Sequence, residues 1–276
     1  MNMFDYHSHS DMSSDGRDSI EDMVGAALAA GLDEYAITDH YDYDYKDPSI
    51  DFDLDVEGYC TTLAATAKRC DRDFPGLPGA GRPFRFVKGI ELGMQLGEPN
   101  LRNLKVVSSC DFDFVVASVH CAWDCAVDIP AYHERRDPET AARDYYDYTL
   151  KCLEEYDDFD VLGHINFIDR FTRIVPDEDV VWDSVDSVIK KLVEMGKGME
   201  VNTKIFRVLE GRHSTPTLRM LKRYVELGGE TVTTGADAHR VSEVGAGLRE
   251  AEELMRAAGL RYIASFRNRE VKYVPL

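Results

Sequence analysis

No stretch of this 276-residue chain is apolar for anything near the ~20 residues that a membrane-spanning helix needs. The N-terminal MNMFDYHSHS lacks both the basic leader and the apolar core of a secretory signal. The expectation is a soluble, unprocessed cytoplasmic protein with no membrane partner. Basic residues are in short supply: 32 Lys and Arg face 51 Asp and Glu, for a formal net charge of −19. Such a surface repels a phosphate backbone, which argues against nucleic acid and leaves metal cations and small cationic molecules as the species it attracts. The six cysteines (Cys60, Cys70, Cys110, Cys121, Cys125 and Cys152) have neither the density nor the paired spacing of a disulfide scaffold. A reducing compartment is the natural reading. An internal repeat and a domain linker are also missing.

What is present is alternation. Short apolar, β-rich runs take turns with longer stretches of helical period, the signature of parallel β/α units. Seven strands are expected, over residues 3–6, 34–38, 84–90, 114–119, 159–163, 198–202 and 230–235. Helices are expected over 19–30, 56–70, 138–156, 177–195, 215–227 and 243–258, and Gly31, Gly196, Gly228, Gly229 and Gly259 follow helical stretches as left-handed caps would. Residues 74–84 read as a Pro/Gly-rich loop and 42–55 as an acidic, Tyr-rich loop. One barrel domain over residues 1–276 accounts for the whole chain, because (β/α) barrels of about 250 residues form one core.

Six of the eight histidines, His7, His9, His40, His120, His164 and His239, lie at or just beyond the C-terminal ends of these strands. In a parallel β/α barrel all those ends meet at one face, so residues far apart in sequence converge there. His7 and His9 are two apart, and an extended chain points both imidazoles to the same side. Asp15 follows six residues later, Glu91 ends the third strand, and Asp237 precedes His239 in DAH. A lone histidine at a strand end is more often a satisfied core residue; six in register with acids point to a multinuclear metal site.

The ordered set HSHSDMSSDG, ITDH, GIE, SVH, GHI and GADAH resembles the polymerase and histidinol phosphatase (PHP) superfamily across almost the whole chain. FDYHSHS, the long YDYDYKDPSIDFDLD loop and VNTKIFR look closest to its monofunctional histidinol-phosphate phosphatases. The resemblance implies an α/β fold, a distorted seven-stranded (β/α)7 TIM-like barrel holding three divalent ions, with zinc, iron or manganese suiting such ligands. It implies a first ion on His7, His9, Glu91 and Asp237, a second on Glu91, His120 and His164, and a third on Asp15, His40 and His239. Asp39 looks like a residue that orients an imidazole. Arg170 and Arg207 match positions that bind substrate phosphate, where a guanidinium fork makes two charge-assisted hydrogen bonds. Asn202 and Thr203 would shape the same rim.

The implied activity is hydrolysis of L-histidinol phosphate in histidine biosynthesis. Paired ions bridged by Glu91 would activate a water and neutralise charge on the phosphoryl group, with Glu91, Asp237 and His239 as the catalytic set. Another PHP phosphoesterase with a different small phosphorylated substrate, or a non-catalytic metal-binding module, are the alternatives, and a homo-oligomer is compatible with either. The substrate's amine and imidazole need acceptors, for which Tyr41, Asp42, Tyr43 and Asp44 are nominated against the plainer reading of a solvated acidic loop. Cys121 and Cys125 in CAWDC lack the second cysteine pair of a thiolate zinc site, and Trp123 and Asp124 between them are nominated to line the pocket. His133 and His213 match no ligand position; His213 falls at the rim or on the surface.

Overall fold

The computed structural model describes residues 3–74, 84–134, 136–172, 174–208 and 216–276. Residues 75–83 of the expected Pro/Gly loop, and His213, lie outside them. Seven strands run parallel in chain order: β1 (Phe4–Asp5), β2 (Glu34–Ile37), β3 (Arg85–Gly93), β4 (Phe114–Ser118), β5 (Val161–Leu162), β6 (Gly198–Asn202) and β7 (Val232–Gly235). The circle closes between β1 and β7, where Tyr6 N donates to Thr234 O at 2.9 Å, Asp237 N donates to His7 O at 2.7 Å, and Ser8 bridges Ala238 in parallel. This is the expected seven-stranded (β/α) barrel, distorted because β1 and β5 are only two residues long. The wall strands read as unbroken apolar runs because both of their faces are covered: every residue of FVVAS in β4 is buried.

Helices α1 (Ile20–Ala30), α2 (Val56–Asp73), α3 (Glu98–Ser108), α4 (Pro138–Glu155), α5 (Glu178–Glu194), α6 (Leu218–Glu226) and α7 (Leu248–Ala258) surround the wall. Side chains of Ser19, Asp55, Asp137 and Thr217 each accept a first-turn backbone N–H, a cap that stabilises a helix by about 1 kcal/mol. Gly31, Gly196, Gly228 and Gly259 end helices at positive φ, where a Cβ would be strained.

Helix α3 was not expected, and its burial explains why. Leu101 and Leu104 are exposed, whereas Asn100 and Asn103 face inward. Asn103 donates to Gly93 O at 2.9 Å and Asn100 to Glu155 at 3.0 Å. Apolar periodicity therefore points to the wrong face.

A C-terminal antiparallel hairpin, Tyr262–Arg267 with Glu270–Pro275, is a second element the apolar pattern did not give. Its Phe266 ring lies 6.2 Å from Tyr6 and 5.1 Å from Phe114, and its N–H donates to the Tyr6 hydroxyl. Glu34 and Arg85, which begin β2 and β3, pair at 2.7 Å and both reach that hydroxyl. The N-terminal end of the barrel is floored by this cluster. Contrary to the reading of unpaired thiols, Cys60 of α2 and Cys110 after α3 form a disulfide, with Cα atoms 5.8 Å apart and 50 residues between them. Cys70, Cys121, Cys125 and Cys152 lie outside this disulfide.

Candidate metal centre and cavity

The opposite end of the barrel collects the polar residues. The chain stays extended past β1, so His7 and His9 share a face. His40 pairs in register with Glu91 inside β3, and Glu91 pairs with Val116 of β4. His120 and His164 lie two residues beyond β4 and β5. Asp237 adopts φ 51°, a left-handed conformation that Asp tolerates better than most residues, in the turn that also carries His239.

Glu91 is fully buried at the centre of this group. Its carboxylate lies 3.2 Å from His7, 3.5 Å from His9, 3.1 Å from His40, 3.4 Å from His120 and 3.1 Å from His164. His9 also approaches Asp237 at 3.6 Å, and Asp15 lies 2.8 Å from His239 and 3.7 Å from His40. Ligand atoms fall within 4.8 Å of one another in four overlapping groups: His7, His9 and Asp237; His7, Glu91 and His164; His40, Glu91 and His120; and His9, Asp15, His40 and His239. The fold thus brings all nine residues together. His40 stands between the implied second and third sets, and His9 between the first and third.

These residues fit cations. His7 Nε2, both ring nitrogens of His9, Asp15 Oδ1, Glu91 Oε2 and His164 Nδ1 are buried with no hydrogen-bond partner, an arrangement that costs about 1–3 kcal/mol per group unless something else satisfies it. Burial, reinforced by His40 and His239, holds His9 well below the usual imidazole range. Burial likewise brings His164 down to about 4. Both are therefore neutral, the form that ligates a metal. Burial raises the Glu91 carboxyl, but His7, His40 and His120 outweigh it and keep Glu91 ionised. Asp237 is held ionised against burial by Lys204, Arg170 and His7.

Two carboxylates orient the imidazoles, and neither was assigned that role from the sequence. Glu200 of β6 touches His7 Nδ1 at 2.6 Å and accepts the His164 N–H at 2.8 Å. Asp42 lies 2.8 Å from His120 Nδ1 and 3.2 Å from His40 Nδ1. Gly235 and Gly93 make room for them, since a Cβ at either would collide with the Glu200 or Asp42 carboxylate. Asp39 does a different job: it accepts from the Ser10 N–H at 2.6 Å and hydroxyl at 2.7 Å, fixing the loop after His9.

A cavity of about 270 Å³ opens over the cluster, with Arg170 and Lys204 on its wall. Arg170 donates to Asp237 at 3.0 Å and to Asn202 at 2.8 Å. Lys204 Nζ lies 3.0 Å from Asp237 and 3.2 Å from His239 Nδ1. Arg207 instead turns its guanidinium to the Ala236 carbonyl at 2.7 Å and does not border this cavity. Sequence reasoning passed over Lys204, whose only signal was its place directly after Asn202 and Thr203 in the same segment. Thr203 donates to Ala246 O at 2.6 Å.

Of the residues nominated to meet the leaving group, Asp42 is taken up by histidines and Asp44 by Lys46 at 2.6 Å. Tyr43 lies under Arg102, and neither it nor Tyr41 borders the cavity. Trp123 donates to Asp144 O outside the cavity, and Asp124 is exposed. The cavity is lined besides by Tyr45, Phe52, Phe167, Phe171 and Asp128, with the Phe52 ring 4.6 Å from His40 and the Phe167 ring 4.8 Å from His164. His133 Nε2 donates to Val127 O at 2.8 Å, away from the cluster.

Residues 5–204 match the PHP domain family model. The histidinol-phosphatase of Lactococcus lactis is 26% identical over 274 residues, covering 96% of this chain and 95% of that protein. A Thermotoga maritima protein named "Probable histidinol-phosphatase" is 27% identical over 263 residues, covering 95% of each. In three dimensions the chain is similar to the crystal structure of Lactococcus lactis histidinol phosphate phosphatase complexed with zinc, L-histidinol and phosphate, with a TM-score of 0.85 at 24% identity over 98% of this chain and 99% of that one.

Proposed function

Since the chain belongs to the PHP domain family, we propose that it is a metal-dependent phosphomonoesterase that hydrolyses L-histidinol phosphate to L-histidinol and inorganic phosphate. The observation that carries this reading is the buried Glu91 carboxylate within 3.5 Å of five imidazoles, beside a cavity walled by Arg170 and Lys204. The full-length likeness to a histidinol-phosphatase, and to a structure containing histidinol, phosphate and zinc, supports the choice of substrate. The whole of residues 1–276 acts as one domain, a reading supported by Phe266 near the C-terminus packing on Tyr6 beside β1. Histidine biosynthesis places the work in the cytoplasm.

His7, His9, Glu91 and Asp237 would hold one divalent ion, Glu91, His120 and His164 a second, and Asp15, His40 and His239 a third. Such ions supply Lewis-acid neutralisation of the phosphoryl oxygens and lower the pKa of water towards neutrality. The chain's own contribution is placement. Asn202 and Asp237 fix the Arg170 fork, which is then ready to take two phosphoryl oxygens with no reorganisation. Lys204 adds a point charge on the same side. Glu200 and Asp42 each lock an imidazole by its Nδ1, leaving Nε2 to face the centre. Phe167, buried against the rings of His120 and His164, covers that side of the cluster.

Steady-state kinetics of the metal-replete protein on L-histidinol phosphate, sugar phosphates and nucleotides test the reading. L-Histidinol phosphate is expected to give the highest kcat/KM. Turnover no faster than the rest of the panel would leave a PHP phosphoesterase with another small substrate.

A further inference from the structure

Between β2 and β3 a side chain stands where a backbone hydrogen bond would. The register of the two strands runs from Glu34 opposite Arg85, through Ile37 opposite Lys88, to His40 opposite Glu91. Glu91 N donates to Asp39 O at 3.1 Å, as a parallel ladder requires. The neighbouring rung of that ladder would run from Asp39 N to Gly89 O. Instead Asp39 N donates to the Tyr59 hydroxyl at 3.0 Å, and that hydroxyl donates to Gly89 O at 2.9 Å, with Ile37 O 3.3 Å from the same oxygen. An oxygen atom is thus inserted between two strands that a direct bond would hold with N and O about 2.9 Å apart.

Tyr59 comes from the first turn of α2 and is fully buried. Burial, with Asp39 nearby, pushes its phenol far up, so the hydroxyl keeps the proton that it donates. The helix is anchored on either side of it: Asp55 accepts the Gly58 N–H as the helix cap, and Cys60 is joined to Cys110 by the disulfide. The Tyr59 ring lies 6.5 Å from that of Phe112. What the hydroxyl holds is close to the metal cluster. Asp39 directly precedes His40, Gly89 lies two residues before Glu91, and the Asp39 carboxylate fixes Ser10 in the loop after His9. Glu200 and Asp42 set the imidazoles through their rings, whereas Tyr59 acts on the backbone that carries them.

Resting on the metal-centre reading above, we propose that Tyr59 is a positioning residue: its hydroxyl sets the spacing of β2 and β3 that places His40 3.1 Å from Glu91. Removing the oxygen leaves Asp39 N and Gly89 O two courses. They close directly on each other, which draws the strands together, or they stay apart and unpaired in the interior, which is costly for buried groups. Either course moves His40, which stands between the second and third ion sets.

The test compares wild type with Tyr59→Phe, which keeps the ring beside Phe112, and with Cys60→Ser, which breaks the disulfide one residue away and leaves the hydroxyl in place. Each protein is stripped with chelator and titrated with zinc and with cobalt(II). In Tyr59→Phe, zinc affinity is expected to fall about tenfold or more in at least one site. The cobalt d–d absorption is expected to change as well, because a displaced imidazole alters the ligand field. In Cys60→Ser, Tm is expected to fall with neither change. Wild-type zinc affinity and cobalt spectrum in Tyr59→Phe overturn the inference. An equal loss of zinc affinity in Cys60→Ser also overturns it, since the packing of α2 rather than the hydroxyl would then set the site. Neither readout involves substrate, so a wild type that prefers another ester overturns the choice of substrate alone. A wild type that binds neither metal overturns the metal centre, and this inference with it.

Discussion

Glu200 Oε1 sits 2.6 Å from His7 Nδ1 while its second oxygen accepts the His164 N–H at 2.8 Å. One carboxylate thus sets the ring of one proposed ligand and the backbone of another. Glu200→Gln exchanges an anionic acceptor for a neutral amide and lets the His7 ring turn. Metal affinity is expected to fall about 10–100-fold, measured by competition with a chromogenic chelator. Affinity equal to wild type would mean the contact does not set the ligand.

Glu91 touches more of the cluster than any other residue described. Glu91→Ala should remove the shared ligand of two ions and abolish measurable turnover. Elemental analysis of the purified variant should give about one ion per chain, the set on Asp15, His40 and His239 being the one that survives. A full complement of metal in that variant would contradict the bridging role.

Three cations offer a graded comparison. Arg170→Ala and Lys204→Met should each lower kcat/KM by about tenfold or more, since both face the proposed phosphate position. Arg207→Ala should fall short of them, because that guanidinium holds the Ala236 carbonyl, and should show its effect as a lower Tm. The reverse order of kinetic losses would return the phosphate to Arg207, as the family resemblance implies.

Metal removal should destabilise as well as inactivate. Buried nitrogens and carboxylate oxygens of the cluster have no hydrogen-bond partner among the described residues, and bound ions would satisfy them. Zinc at about 100 times its dissociation constant is expected to stabilise the folded state by about 2.7 kcal/mol, read as a rise in Tm on titrating chelator-treated protein. A Tm indifferent to metal would argue against tight sites.

At the other end of the barrel, Phe266→Ala should leave a cavity against Tyr6 and Phe114 and cost about 3–5 kcal/mol, seen as a lower denaturant midpoint. A loss under 1 kcal/mol would show that the hairpin is dispensable to the floor.

The wall of the barrel was legible because buried parallel strands must be apolar on both faces, and the convergence of His7, Glu91 and Asp237 followed from strand ends sharing one rim. Helix α3 was not, since Asn100 and Asn103 occupy its inner face and their partners, Glu155 and Gly93, are invisible before folding. The same limit hid Glu200 and Asp42, whose roles rest on single contacts between distant segments. Asp39 shows the converse: adjacency to His40 suggested an imidazole partner, but the strand directs it to Ser10. The Cys60–Cys110 pair, 50 residues apart, has no local signal either.

Tyr6 and His7 are consecutive, yet one belongs to the floor of the barrel and the other to its metal rim. Side chains in an extended chain alternate in direction, so a single inserted or deleted residue between Phe4 and His9 would exchange the two environments, burying an imidazole in the floor and presenting a phenol to the metals. A change in length here cannot be absorbed, so homologues are expected to keep the spacing of this segment fixed.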